Sequence, residues 1–288
     1  MSNIYQHILR ILNSEKGKYI GTDVKILFAI ESGSRLWGMN DEKSDYDVRF
    51  VYCYPRDYYL SLRTPTDNIN FTTDIFTDNL GDLKVYGRES VTIDVIGFDI
   101  YKFMHLITKS NPNCVEWLKS DIVYYTVGSQ IDELEGFVDK NINLYSLAMA
   151  YRGIGISALK KTYKRLGEQG TLSRPKKIMG VKNLLYALRG IIAGDYILHY
   201  HEIPPVKFKK LIDGVFLNKT VRNLTHSLIE NKKEGAALTS YGEVEPLMHY
   251  LDDNFHSKNM FKTLLPEINM NNDESLLWLN EWIWQFLT

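Results

Sequence analysis

Apolar positions in the N-terminal part of the chain alternate or run in short blocks, whereas from about residue 130 they recur at helical spacing. Ile4, Ile8, Leu9, Ile11 and Leu12 fall on one helical face, which predicts an amphipathic helix over 3–14; the polar, glycine-containing stretch 15–22 reads as a turn. Val24–Ile30 is an apolar run that suits a first strand. Residues 46–54, ending at Pro55, alternate as a second: Val48, Phe50 and Tyr52 point to a core, and Asp47 and Arg49 point away from it. Residues 56–60 suit a short helix, and 68–76, rich in Thr, Ile and Phe, a strand. A turn follows over 79–82, with 83–86 pairing back as a hairpin arm. In 90–98, Val91, Ile93 and Val95 alternate with Thr92, Asp94 and Ile96. Asp99 then reads as the N-cap of a helix over 100–108, and Ser110-Asn111-Pro112 stops that helix and starts another over 112–118.

Beyond about residue 130 the predicted elements are helices: 130–138, 142–167, 176–198, 206–215, 218–230, 243–255 and 273–287. Breaks fall at 167–175, 202–205 and 235–242. The pattern predicts an α+β chain: a small mixed β-sheet domain flanked by helices over 1–140, then an all-α domain over 141–288. Trp278, Trp282 and Trp284, in the last helix, are expected to pack it.

A hydrophobic content of 44 % is enough for a sizeable core. The balance of 34 basic and 35 acidic residues argues against a long electrostatic grip on nucleic acid, while leaving room for a local basic face. Cys53 and Cys114 have no metal-ligand spacing and read as free, partly buried thiols of a reducing compartment. The first fifteen residues do not resemble a signal peptide, and no stretch approaches the roughly 18 apolar residues of a membrane span. A soluble, cytoplasmic protein is expected. The 19 tyrosines are expected to be spread through the core rather than gathered to stack on nucleotides.

Chemistry concentrates between the first two strands, in Glu31-Ser32-Gly33-Ser34-Arg35-Leu36-Trp37-Gly38 and Ser44-Asp45-Tyr46-Asp47-Val48-Arg49-Phe50. Gly33 lets the backbone approach a phosphate closely, and Ser34 offers a hydroxyl and an N–H. Asp45 and Asp47, two apart on a strand, share one face and could share a cation. Asp94 is a carboxylate in the middle of an apolar strand, costly unless it is paired, metal-bound or on a solvated edge. Together these suggest a phosphate cradle facing a carboxylate site for Mg²⁺ or Mn²⁺, with two ions serving the two ends of an in-line displacement.

Gly33-Ser34-Arg35-x-x-Gly38 followed by Ser44-Asp45-x-Asp47 resembles the signature of the DNA polymerase beta-like nucleotidyltransferases. More narrowly, the chain resembles the RNA repair pathway DNA polymerase beta family. The further matches are 56–62, Asp99-x-x-Lys102-Phe103, 109–113, Glu116-Trp117-Leu118, Pro175-Lys176-Lys177, 186–189 and Pro204-Pro205. The resemblance spans roughly residues 25–215. It implies that Gly33 and Ser34 bind phosphate and that Asp45 and Asp47 hold metal. The third acid of the superfamily lies on a later strand, where Asp94 fits and Asp99 is the runner-up. Arg35 becomes a candidate substrate contact, and Arg49 either a cleft residue or a strand ion-pair partner. Lys176 and Lys177 are candidates to close on a triphosphate, or else a solvated pair at a helix start. Tyr101 stands where the family commonly has a cation.

The implied activity is transfer of a nucleoside monophosphate from an NTP, ATP being weakly favoured, to a hydroxyl with release of pyrophosphate. The acceptor would be an RNA end such as that of a tRNA, or a protein side chain. The alternative is a non-catalytic nucleotide sensor or antitoxin-like regulator on the same fold. Base, acceptor and oligomeric state are open at this level.

Overall fold

The computed structural model describes residues 3–19, 23–62, 66–76, 90–163, 175–255, 261, 263–265, 270 and 272–287. Two compact units divide it. The first comprises Met1–Leu36, Ser44–Ile142 and Asn269–Thr288, and the second Trp37–Lys43 and Asn143–Ile268.

The first unit holds a five-stranded mixed sheet in the order β3-β4-β2-β1-β5. Its strands are β1 (Lys25–Glu31), β2 (Tyr46–Cys53), β3 (Asn68–Phe76), β4 (Ser90–Asp99) and β5 (Val123–Thr126). Helices α1 (Asn3–Tyr19), α2 (Gly33–Trp37), α3 (Arg56–Tyr59), α4 (Ile100–Thr108), α5 (Pro112–Leu118) and α6 (Ser129–Asn141) fall between and after them. β2 and β4 are parallel, and the other neighbouring pairs are antiparallel. The α+β architecture follows the alternation in the sequence.

On one face of the sheet, Val48, Phe50, Tyr52, Ile69, Ile75, Val91, Ile93 and Val95 pack with Ile4, Ile8 and Leu12 of α1. α1 runs to Tyr19, through part of the stretch expected to be a turn: Glu, Lys and Lys in 15–18 are good helix formers, and the one Gly costs only about 1 kcal/mol. The other face divides along the strands. Toward the ends of β2 and β4 it is aromatic, with Phe98 stacked on Trp117 (centroids 4.8 Å apart) and Phe103 edge-on to Phe28. Toward their beginnings it is polar and carries Asp47, Arg49 and Asp94. Asp99 caps α4 by accepting from the Tyr101 N–H, and Asn111 caps α5 by accepting from the Asn113 and Cys114 N–H groups.

The sequence pattern does not predict β5: it is four residues long, and only Tyr124 in it is buried. The expected turn over 79–82, the arm over 83–86 and most of the 167–175 break lie outside the described residues.

The second unit contains α7 (Leu144–Lys160), α8 (Val181–Tyr200), α9 (Phe208–Gly214), α10 (Lys219–Lys233) and α11 (Tyr241–Phe255). α7 and α8 pack backbone to backbone at Gly155 and Gly190, where a β-carbon on Gly190 would lie 2.5 Å from the Gly155 nitrogen. The periodicity predicts helices alone here, yet β6 (Ile178–Gly180) pairs antiparallel with β7 (Leu238–Ser240), in what reads from sequence as a helix start and a break. Three-residue strands leave no periodicity to read.

Helix α12 (Asp273–Trp284) belongs to the first unit. Trp278 stacks flat on Phe137 at 4.0 Å, and the buried Trp282 donates its indole N–H to the Gln130 carbonyl. Trp284 is exposed. No helix among the described residues is long and apolar enough to cross a membrane.

Candidate active site

β1 ends at Glu31, and the chain turns at Gly33 into α2. Gly33 has φ +62°, and a β-carbon there would stand 2.1 Å from Oδ2 of Asp47. Only glycine therefore allows the turn and the Asp47 carboxylate to lie against each other. The Ser32 N–H donates to the Asp47 carbonyl (2.8 Å), which fixes the turn to the second residue of β2. Ser34 is half-buried in the first turn of α2.

Across the parallel β2–β4 pairing, Asp47 and Asp94 are Cα partners. Arg49 lies between their carboxylates, with Nη2 3.0 Å from Asp47 Oδ1 and 2.9 Å from Asp94 Oδ2. Its Nη1 donates to the Asp94 carbonyl at 2.9 Å. Thr72 on β3 stands 3.5 Å from Asp94 Oδ1. The side chains of Asp47 and Asp94 are 28 % and 31 % exposed, so a ligand can reach both. Asp94 sits on an interior strand, which excludes a solvated edge as the reason for its charge. Arg49 is thus an ion-pair partner of both acids.

Asp45 is exposed and precedes β2 by one residue. Arg35 is held at the base of the loop that leads to Asp45: its Nε and Nη2 donate to the Asp45 and Ser44 carbonyls (3.0 and 2.6 Å), and its guanidinium lies 3.8 Å from the Tyr46 ring centroid. Asp99 pairs with Tyr52 at the far end of β2, about 16 Å along the strand from Asp94. There it accepts from Tyr59 Oη and the Tyr101 N–H, and burial raises its pKa. The structure thus brings Asp94, not Asp99, beside Asp47. Lys176 and Lys177 lie in the second unit, where Lys176 Nζ donates to the Lys161 carbonyl and Lys177 is exposed.

Glu31 stands in the motif, but sequence reasoning assigns it no role. It is fully buried at the end of β1, accepts from the Asp47 N–H (2.9 Å) through Oε1, and accepts from the Tyr124 hydroxyl through Oε2. Ser120 Oγ donates to its carbonyl. Burial pushes its carboxyl up to about 7; the Tyr124 and Asp47 hydrogen bonds oppose that rise and the Asp47 charge adds to it. Glu31 is thus a buried bracket that sets the start of β2. The only trace of it in the sequence is an acid ending an apolar strand.

Among the described residues no group of three or more His, Cys, Asp or Glu stands together as a metal site. Two adjacent carboxylates nevertheless suit Mg²⁺ or Mn²⁺, which commonly take one or two protein carboxylates and complete their shell with phosphate oxygens and water. The residues present fit such an ion on Asp47 and Asp94, with Asp45 near the same end of β2.

A model of the RNA repair pathway DNA polymerase beta family matches residues 2–282. The chain is 29 % identical over 248 residues to YcgL of Bacillus subtilis strain 168, a protein described as uncharacterized, covering 84 % of this chain and 83 % of that one. Among solved structures, a nucleotidyltransferase-like protein from Exiguobacterium sibiricum aligns over 90 % of this chain and 76 % of its own, with a TM-score of 0.35 and 12 % identity.

Proposed function

The chain belongs to the RNA repair pathway DNA polymerase beta family, and on that footing we propose that it is a divalent-metal-dependent nucleotidyltransferase. The observation that carries this reading is the packing of the Gly33 turn against Asp47, with Asp94 directly opposite. Gly33 and Ser34 bind the phosphates of an NTP through backbone N–H groups and the Ser34 hydroxyl. Asp47 and Asp94, with Asp45, hold one or two Mg²⁺ or Mn²⁺ ions. Such ions, when bound, lower the pKa of the attacking hydroxyl and stabilise the charge of the departing pyrophosphate. Arg49 holds the two carboxylates in place, and Glu31 holds the strand beneath them. Lys176 and Lys177 are candidate contacts to the triphosphate, and Arg35, at the loop base, is a candidate contact to substrate. ATP is the favoured nucleotide, and an RNA end such as that of a tRNA the favoured acceptor, ahead of a protein side chain. Residues 1–140 form the catalytic part and 141–288 a helical part, whose last helix, α12, returns to the sheet unit.

A nucleotide sensor or antitoxin-like regulator is the second reading, and one observation favours it: a guanidinium already occupies one oxygen of each acid. Incubation with Mg²⁺ or Mn²⁺, each labelled NTP, and total RNA or total protein separates the two. Transfer of label to one pool, abolished in Asp47→Ala and Asp94→Ala, supports the enzyme. Metal-dependent NTP binding with no labelled product supports the sensor.

A further inference from the structure

We propose that Trp37–Lys43, the segment between the Gly-Ser turn and the start of Ser44-Asp45 and β2, is a positioning strap, and that Lys232 and Arg189 set the geometry of the site through it. This inference rests on the nucleotidyltransferase reading.

The strap groups with the helical unit although both its flanks belong to the sheet unit. Its base is closed by Arg35, whose hydrogen bonds to the Ser44 and Asp45 carbonyls tie the end of the loop to α2. Met39, in its middle, is fully buried, and its carbonyl accepts from Lys232 Nζ at 2.8 Å. The Asp41 carboxylate stands 3.9 Å from the same ammonium. At its start, Trp37 lies under the Arg189 guanidinium at 4.1 Å and edge-on to Tyr186 at 5.0 Å. Both cations are buried, Lys232 at 8 % exposure and Arg189 at 5 %.

A buried ammonium is costly, and a methionine would fill the same space without that cost. What the ammonium adds is direction. It fixes a backbone carbonyl, and with it the path of a short loop whose two ends carry Gly33-Ser34 and Asp45. In this reading a shift in the middle of the strap passes to its flanks, which Arg35 ties together through the Ser44 and Asp45 carbonyls. Phosphoryl-transfer geometry is sensitive to such movement, since a misplacement of about 1 Å is enough to cost 100-fold. Lys232 and Arg189 are therefore positioning residues: they act through the strap and not on the nucleotide.

The test is calorimetric titration of the full chain with each of the four NTPs and Mg²⁺, alongside amide hydrogen exchange over residues 37–46. The proteins compared are wild type, Lys232→Met, Lys232→Arg, Arg189→Met and Asp47→Ala. The expected result is a nucleotide Kd about tenfold weaker in Lys232→Met, faster exchange across the strap, and recovery of both in Lys232→Arg. Arg189→Met reproduces the loss and carries the test alone if Lys232→Met does not fold. A purely structural contact lowers the thermal midpoint but leaves the Kd of the folded protein unchanged; that outcome, with Asp47→Ala still abolishing binding, overturns the strap and leaves the nucleotidyltransferase reading intact. If the wild type binds no NTP, or Asp47→Ala binds as the wild type does, the reading itself fails and the strap inference fails with it.

Discussion

Arg49 bridges Asp47 and Asp94, donating from one nitrogen to an oxygen of each carboxylate across a parallel strand pair. With this arrangement two like charges can face each other on adjacent strands before any ligand arrives.

Removing the guanidinium should expose that repulsion. Arg49→Met is expected to lose about 2 kcal/mol of stability in chelator-treated buffer, because the two carboxylates lose the guanidinium that stands between them. Added Mg²⁺ should then raise its thermal midpoint more than it raises that of the wild type. Equal responses of the two proteins in a thermal-shift titration would show that cation and guanidinium do not share the same oxygens.

Gly33→Ala places a methyl group where Asp47 Oδ2 now lies, on a backbone at φ +62°. The carboxylate must turn away or the turn must open. The expected cost is about 1–3 kcal/mol in urea unfolding, together with loss of nucleotide binding in calorimetry. An alanine variant that binds NTP as the wild type does would separate the turn from the site.

The raised carboxyl of Glu31 gives stability a specific dependence on pH. Its pKa in the fold is about 7, against an ordinary value of 4.5. Between these values the unfolded chain has released a proton that the folded protein still holds. Stability from this group is fully present below the lower value and falls as pH rises toward the upper one, by up to roughly 3 kcal/mol. Urea midpoints across this range, in metal-free buffer, should decline in the wild type and stay flatter in Glu31→Gln. Parallel profiles for the two proteins would assign the decline to another group.

Both thiols should be silent in the native protein. Cys53 and Cys114 are free and buried; burial pushes the Cys53 thiol up to about 11 and raises that of Cys114 further. A disulfide reagent should label neither at neutral pH and both after denaturation. Fast labelling of native protein would mean that the core around β2 or α5 opens readily.

Features written in local chemistry are legible in the amino-acid sequence alone. The whole of β3 follows from its Thr, Ile and Phe content, the start of α4 from Asp99, whose cap forms as expected, and the start of α5 from Ser110-Asn111-Pro112. The alternation around Asp47 and Arg49 places them off the core face of β2. Features that depend on distant partners are not legible in this way. Glu31 becomes a bracket only because Tyr124 arrives beside it on β5, a strand too short to announce itself. Arg49 becomes a bridge only because the β2–β4 register sets Asp94 opposite Asp47. The pairing of β6 with β7 joins segments far apart in the chain, each of which reads locally as something else. Asn143 caps α7 by accepting from the Ser146 N–H, which starts the helix two residues inside the expected 142–167.

The packing of α12 on α4 and α6 has a consequence for how the protein is made. On a ribosome the sheet strands emerge early, but the helix that covers their neighbours emerges only after the entire helical unit has been synthesised. Until then Phe137 lacks the Trp278 ring, and the Gln130 carbonyl lacks the Trp282 indole. The nascent sheet unit must therefore wait with an apolar surface uncovered, a period in which a chaperone or a neighbouring nascent chain can compete for it.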